Sequence, residues 1–135
     1  MRLSVRVMSA AALAFLPCAC GGPDPLGPTA LDQGVIVFMH SGFRGTSQQV
    51  GIDVSDLTKV QGPCGTDENE SSRTWNDCIS SVRLLPGWSA TLYGDSNFRG
   101  AAIEVTEDIA DLASRAGSCS GSYDDCISSI RVYKR

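Results

Sequence analysis

The chain contains one unit twice, and this duplication limits its possible folds more than any other feature. Asn-Asp-Cys-Ile-Ser-Ser at 76–81 returns as Asp-Asp-Cys-Ile-Ser-Ser at 124–129, each time after an aromatic residue, Trp75 or Tyr123. Upstream, Phe38, Phe43, Arg44 and Gly45 align with Tyr93, Phe98, Arg99 and Gly100 at an offset of 55. The same offset carries Val50 onto Val105, Asp53 onto Asp108, Asp56 onto Asp111, Leu57 onto Leu112 and Cys64 onto Cys119. It then drops to 48, because the first copy has a longer polar stretch at 66–73. Two copies fit a domain of paired units better than a solenoid, which needs about three or more repeats.

Each copy reads as strands. Residues 35–38 form a short apolar run rich in β-branched side chains, matched by 90–93. Return strands are expected at 48–52 and 102–105. Both copies close on an alternating segment that buries Val82 and Leu84, or Ile130 and Val132, and exposes Arg83 or Arg131. The stretch 108–116 is expected to make a helical turn with Ile109, Leu112 and Ala116 on one face. Gly45 and Gly100 are expected where a Cβ would hinder the backbone. Pro86-Gly87 is the turn between copies. Four strands per copy give an all-β sandwich of about eight strands.

The first residues resemble an export signal: Arg2 and Arg6, an apolar run at 7–16, then Pro17-Cys18-Ala19-Cys20-Gly21-Gly22. The run is too short to span a bilayer. The expected division is a leader over 1–20, a tether over 21–33 and a folded domain over 34–135, with copies at 34–85 and 88–135. Cys20 is the candidate lipidation site, so a membrane would be met only through that anchor. The expected location is a bacterial cell envelope or the exterior. Without the leader, 9 basic residues face 15 acidic ones, a charge of −6. That balance argues against nucleic acid, which requires a basic face.

Cys64, Cys78, Cys119 and Cys126 remain after the leader. An even count in an exported chain implies disulfides. Three pairings are possible, and the repeat favours Cys64–Cys78 with Cys119–Cys126, which gives each copy the same bridge. The spacings do not resemble zinc knuckles. The two six-residue segments gather carboxylates, amides, carbonyls and hydroxyls, an all-oxygen set suited to hard cations such as Ca²⁺.

An aromatic residue, four residues, Phe-x-Gly, then Asn/Asp-Asn/Asp-x-x-Ser-Ser, twice over, resembles the microbial calcium-binding branch of the βγ-crystallin family. The resemblance covers essentially the whole domain. It implies two Greek keys in one sandwich, with the six-residue segments as paired calcium clamps. It further implies hydroxyl ligands from Ser80 and Ser128 and backbone carbonyls from Cys78 and Cys126. Side-chain oxygens would come from Asn76, Asp77, Asp124 and Asp125, and hairpin carbonyls from near Met39–His40 and Gly94–Asp95. Which of the two leading side chains binds directly is left open by spacing. About two Ca²⁺ ions and a monomeric, non-enzymatic module are expected. The rival reading is a secreted peptidase inhibitor with a protease partner, using the loop 65–77. No catalytic pattern accompanies His40, a phosphate loop is not present, and Asp53, Asp56, Asp108 and Asp111 suit capping or solvation.

Overall fold

The computed structural model describes residues 32–65 and 70–135. The expected leader, Cys20 and residues 21–31 of the tether lie outside the described residues, as do residues 66–69 of the extended loop.

Eight strands form in chain order: β1 (Val35–His40), β2 (Arg44–Val50), β3 (Gln61–Cys64), β4 (Ser81–Leu84), β5 (Trp88–Asp95), β6 (Arg99–Val105), β7 (Ala116–Cys119) and β8 (Ser129–Lys134). Two three-stranded antiparallel sheets result, ordered β2-β1-β4 and β6-β5-β8. Their registers repeat: Val35 faces Val50 as Ala90 faces Val105, and His40 faces Arg44 as Asp95 faces Arg99. The hairpins end in an irregularity after Phe38 and Tyr93. There Gly45 and Gly100 both adopt φ +77°, where a Cβ would lie 2.6 Å from the His40 ring or the Asp95 carboxylate. Arg83 and Arg131 stack over Phe43 and Phe98, each at 4.2 Å from the ring centre.

The copies exchange chain. After β2 the backbone crosses to the other sheet, where Val54 and Ile130 bond reciprocally, N to O, at 2.8 and 2.9 Å. After β6, Ile109 bonds Val82 of β4 in the same way, at 2.8 and 2.9 Å. Asp53 and Asp108 extend these contacts by accepting the Val132 and Leu84 N–H groups. Asp56 and Asp111 cap the short 3-10 turns Leu57–Lys59 and Leu112–Ser114. The four repeated acids therefore serve the crossovers.

The core lies between the sheets. Val35, Val37 and Val82 meet Ala90, Leu92 and Ile130, all fully buried, and Leu57, Leu112, Ile79, Ile127 and Trp75 close it. Cys64 pairs with Cys78 and Cys119 with Cys126, the local arrangement the repeat favours. Two local expectations fail. The first return strand stops at Val50, since the backbone turns toward the other sheet, and Ile52 is 75% exposed. Ala116 is exposed, because the helical turn stops at Ser114 and β7 begins at Ala116.

Candidate functional site

The two six-residue segments cross each other. Asp77 N–H donates to the Ile127 carbonyl at 3.0 Å, and Asp125 N–H to the Ile79 carbonyl at 3.2 Å. Two residues on, Leu112 N–H bonds the Ser80 carbonyl and Leu57 N–H the Ser128 carbonyl, both at 2.9 Å. Asp77 and Asp125 make this crossing possible by adopting left-handed φ values of 50° and 47°. Asp and Asn tolerate that conformation better than most side chains.

Each segment also grips its own hairpin. Ser80 N–H bonds the Phe38 carbonyl, and Ser128 N–H the Tyr93 carbonyl. The final serines do more. The Ser81 hydroxyl donates to the His40 carbonyl at 2.6 Å and accepts from Phe43 N–H at 3.0 Å. Ser129 does the same for the Asp95 carbonyl and Phe98 N–H. Sequence reasoning gave these two serines no role; the Ser-Ser repeat was the signal available. Ser81 is fully buried. Ser81→Ala should therefore cost about 1–3 kcal/mol, since it strands a buried donor and acceptor. Denaturant unfolding checks this, and a loss under about 0.5 kcal/mol, the surface-substitution range, would mean that water replaces the hydroxyl.

Two clefts flank the crossing. One is lined by His40, Ser41, Arg44, Ser80, Asp111, Ala113 and Asp124. The other is lined by Asp56, Thr58, Asn76, Asp95, Ser96 and Ser128. The lists correspond residue for residue under the repeat, apart from Arg44. Each cleft takes its hairpin and hydroxyl from one copy, and its first clamp side chain and capping acid from the other. Of the two leading residues of each segment, the first, Asn76 or Asp124, lines a cleft.

Those first residues are anomalous. Asn76 Oδ1 and Asp124 Oδ1 are buried, and neither has a hydrogen-bond partner. The Asn76 amide nitrogen donates to Asp77 at 2.8 Å, so its oxygen is the end left over. Buried polar atoms are nearly always satisfied, and an orphan calls for a physical reason. Here the same orphan occurs twice, at equivalent positions. Among the described residues no group of three or more His, Cys, Asp or Glu side chains is placed so as to hold a metal ion by itself. Each cleft is lined by two Asp residues, Asp111 and Asp124 or Asp56 and Asp95, together with hydroxyl-bearing residues and, in the second cleft, the amide-bearing Asn76.

The second clamp residues sit beside the opposite copy's serines. Ser80 Oγ lies 3.4 Å from Asp125 Oδ1. Burial raises the Asp77 carboxyl above its ordinary value, against lowering by Asn76 and Ser128. Burial also raises Asp125, helped by the negative charges of Asp124 and Asp77 and opposed by Ser80 and His40. A raised native value means that the fold keeps these protons to higher pH than the unfolded chain does. Their ionisation therefore lowers the stability of the fold as pH rises from about 4 through the raised values. Asp77→Asn and Asp125→Asn keep the shape and the left-handed backbone without the charge. In chelator, each should melt above the unchanged protein at pH 7 and level with it at pH ~3, below the ordinary Asp value. A lower melting point at pH 7 would contradict the burial argument.

The remaining expected residues divide. Met39 is partly buried against the core and borders a groove with Pro63, Cys64, Asn76 and Asp77. Gly94 lies in β5 beside Asp95. Cys78 and Cys126 are fully buried within their disulfides. In the loop 65–77, the described part holds a 3-10 turn, Glu70–Ser72, with those three residues exposed.

Fold and site together define a two-copy Greek-key sandwich of the βγ-crystallin class. The chain belongs to the βγ-crystallin domain family. It is 31% identical over 100 residues to spherulin-3A of Physarum polycephalum, covering 73% of this chain and 80% of that protein. A structure solved to trace the evolution of the eye-lens βγ-crystallin domain fold superposes with a TM-score of 0.60 at 28% identity, covering 77% of this chain and 88% of that one. A βγ-crystallin domain from Flavobacterium johnsoniae gives 0.56 at 28% identity, covering 76% and 97%. No family model matches the chain.

Proposed function

We propose that the chain is an exported, non-enzymatic calcium-binding module with one Ca²⁺ site in each cleft. The observation that carries this reading is the pair of orphaned buried oxygens, Asn76 Oδ1 and Asp124 Oδ1, each on a residue that lines one of the two clefts. Ca²⁺ is a hard cation that takes six to eight oxygens of mixed type. Ser80, Asp124, the Cys78 carbonyl and a carbonyl near Met39–His40 would hold one ion. Ser128, Asn76, the Cys126 carbonyl and a carbonyl near Gly94–Asp95 would hold the other. A bound ion supplies positive charge to buried oxygens that otherwise have no partner.

This chain's own residues prepare the site. Ser81 and Ser129 fix the hairpin ends. The bridges at Cys78 and Cys126 restrain the segments that carry the clamps, which reduces the ordering cost of binding. Because the clefts draw on both copies, an ion there would tie one copy to the other and raise the stability of the whole domain by mass action. Two disulfides suit an oxidising, extracytoplasmic setting.

Calorimetric calcium titration of the folded domain tests the proposal. Two ions per chain and a higher melting temperature are expected. Heat no different from buffer, with an unmoved melting point, would refute it.

A further inference from the structure

The first copy contains a second kind of site, apart from the clefts. Val37, Val50, Val54, Leu57, Val60 and Trp75 line a partly open apolar cavity of about 140 Å³. Gln48, Gln49, Gly51 and Ile52 form its mouth. Four of the wall residues belong to the buried core: Val37, Val50, Leu57 and Trp75.

The repeat shows why the space is open. Where the first copy has Val37, Gln48 and Val54, the second has Leu92, Ile103 and Ile109. Leu92 and Ile109 each add a methylene to the wall. Ile103 packs against the core, whereas Gln48 is exposed. Trp75 is larger than its counterpart Tyr123, yet the gap persists beside it. An unfilled gap beside core side chains forfeits dispersion contacts, so the first copy carries a packing defect where the second has bulkier apolar side chains.

The chemistry of the walls selects the occupant. At 140 Å³ the cavity is too small for a drug-sized ligand, whose pockets start at about 300 Å³. Aliphatic cavities of about 150 Å³ stay dry and take up benzene or xenon. Both mouth amides are already engaged: Gln48 Nε2 donates to the Gln49 carbonyl at 3.0 Å, and Gln49 Nε2 to the Gln33 carbonyl at 2.9 Å. We propose that this cavity is a binding site for one small uncharged apolar molecule of about the size of benzene. It uses none of the cleft-lining side chains, and it stands whether or not the clefts bind calcium.

Benzene and xenon are the probes. Methyl NMR of the domain titrated with benzene should show saturable shifts at Val37, Val50, Val54 and Leu57. Ile103, the counterpart of Gln48 in the second copy, should stay unmoved as an internal control. Crystals under xenon pressure should show density in the same place. Val37→Leu with Val54→Ile imports the second copy's residues, and should lose these shifts while melting higher. Val54→Ile alone replaces the pair if the double variant does not fold, and should weaken benzene binding several-fold. No saturable shift up to the solubility of benzene, equal shifts in both copies, or undiminished binding in the filled variants would each overturn the proposal.

Discussion

Asp124→Ala is expected to remove one calcium ion per chain and to leave the other in place. Asp124 lines the cleft with Ser80 and the His40 hairpin, and its Oδ1 is buried without a partner. A unit charge pair about 4 Å apart is worth about 4 kcal/mol at an effective dielectric of 20. Even a third of that is about tenfold in affinity. The equivalent Asn76 is neutral, so Asn76→Ala should weaken its own cleft less. Loss of Asp124 also removes a charge that disfavours ionised Asp125. The calcium-free variant should therefore fold no worse than the unchanged protein, which separates ligand loss from unfolding. Calorimetry reads both stoichiometry and affinity. Two ions bound with unchanged affinity would take Asp124 out of the site.

Ile130→Ala should have the largest effect on the fold. Ile130 is fully buried in β8, faces Leu92 across the sheet, and bonds reciprocally to Val54 of the other copy. Truncating a buried Ile to Ala costs about 2–5 kcal/mol. Small domains hold only about 5–15 kcal/mol in total. The denaturant midpoint should fall at an unchanged slope. Amide signals of both copies should vanish in one transition. Two separated transitions would mean that the crossover contacts at Val54 and Ile109 do not couple the copies.

Much of this architecture was legible in the residues. The offset of 55 predicted equal hairpins, and β1/β2 and β5/β6 repeat each other's register. The cysteine spacing inside the repeat favoured the pairing that forms. What the residues concealed is long-range. Nothing local shows that Val54 and Ile109 cross to the other sheet, because a single bridge leaves no periodic pattern. For the same reason the clefts could not be assembled in advance, since each joins residues such as Ser80 and Asp124 from different copies. That Asn76 and not Asp77 lines the cleft with Ser128 could not be read from spacing, and neither could the left-handed φ at Asp77. Ser81 and Ser129 went unassigned because their work is to hold the hairpin ends that other residues build.

The reciprocal crossovers bear on ancestry. A half-length gene product would have an open edge on its only sheet and half of each cleft. It could become whole only by meeting a second half, as a homodimer with the same exchanged segments. Fusion of two such halves would make that encounter intramolecular and independent of concentration. After fusion, the halves were free to diverge at Val37 and Leu92, while the crossing segments at 76–81 and 124–129 kept five of their six letters, differing only at Asn76 and Asp124.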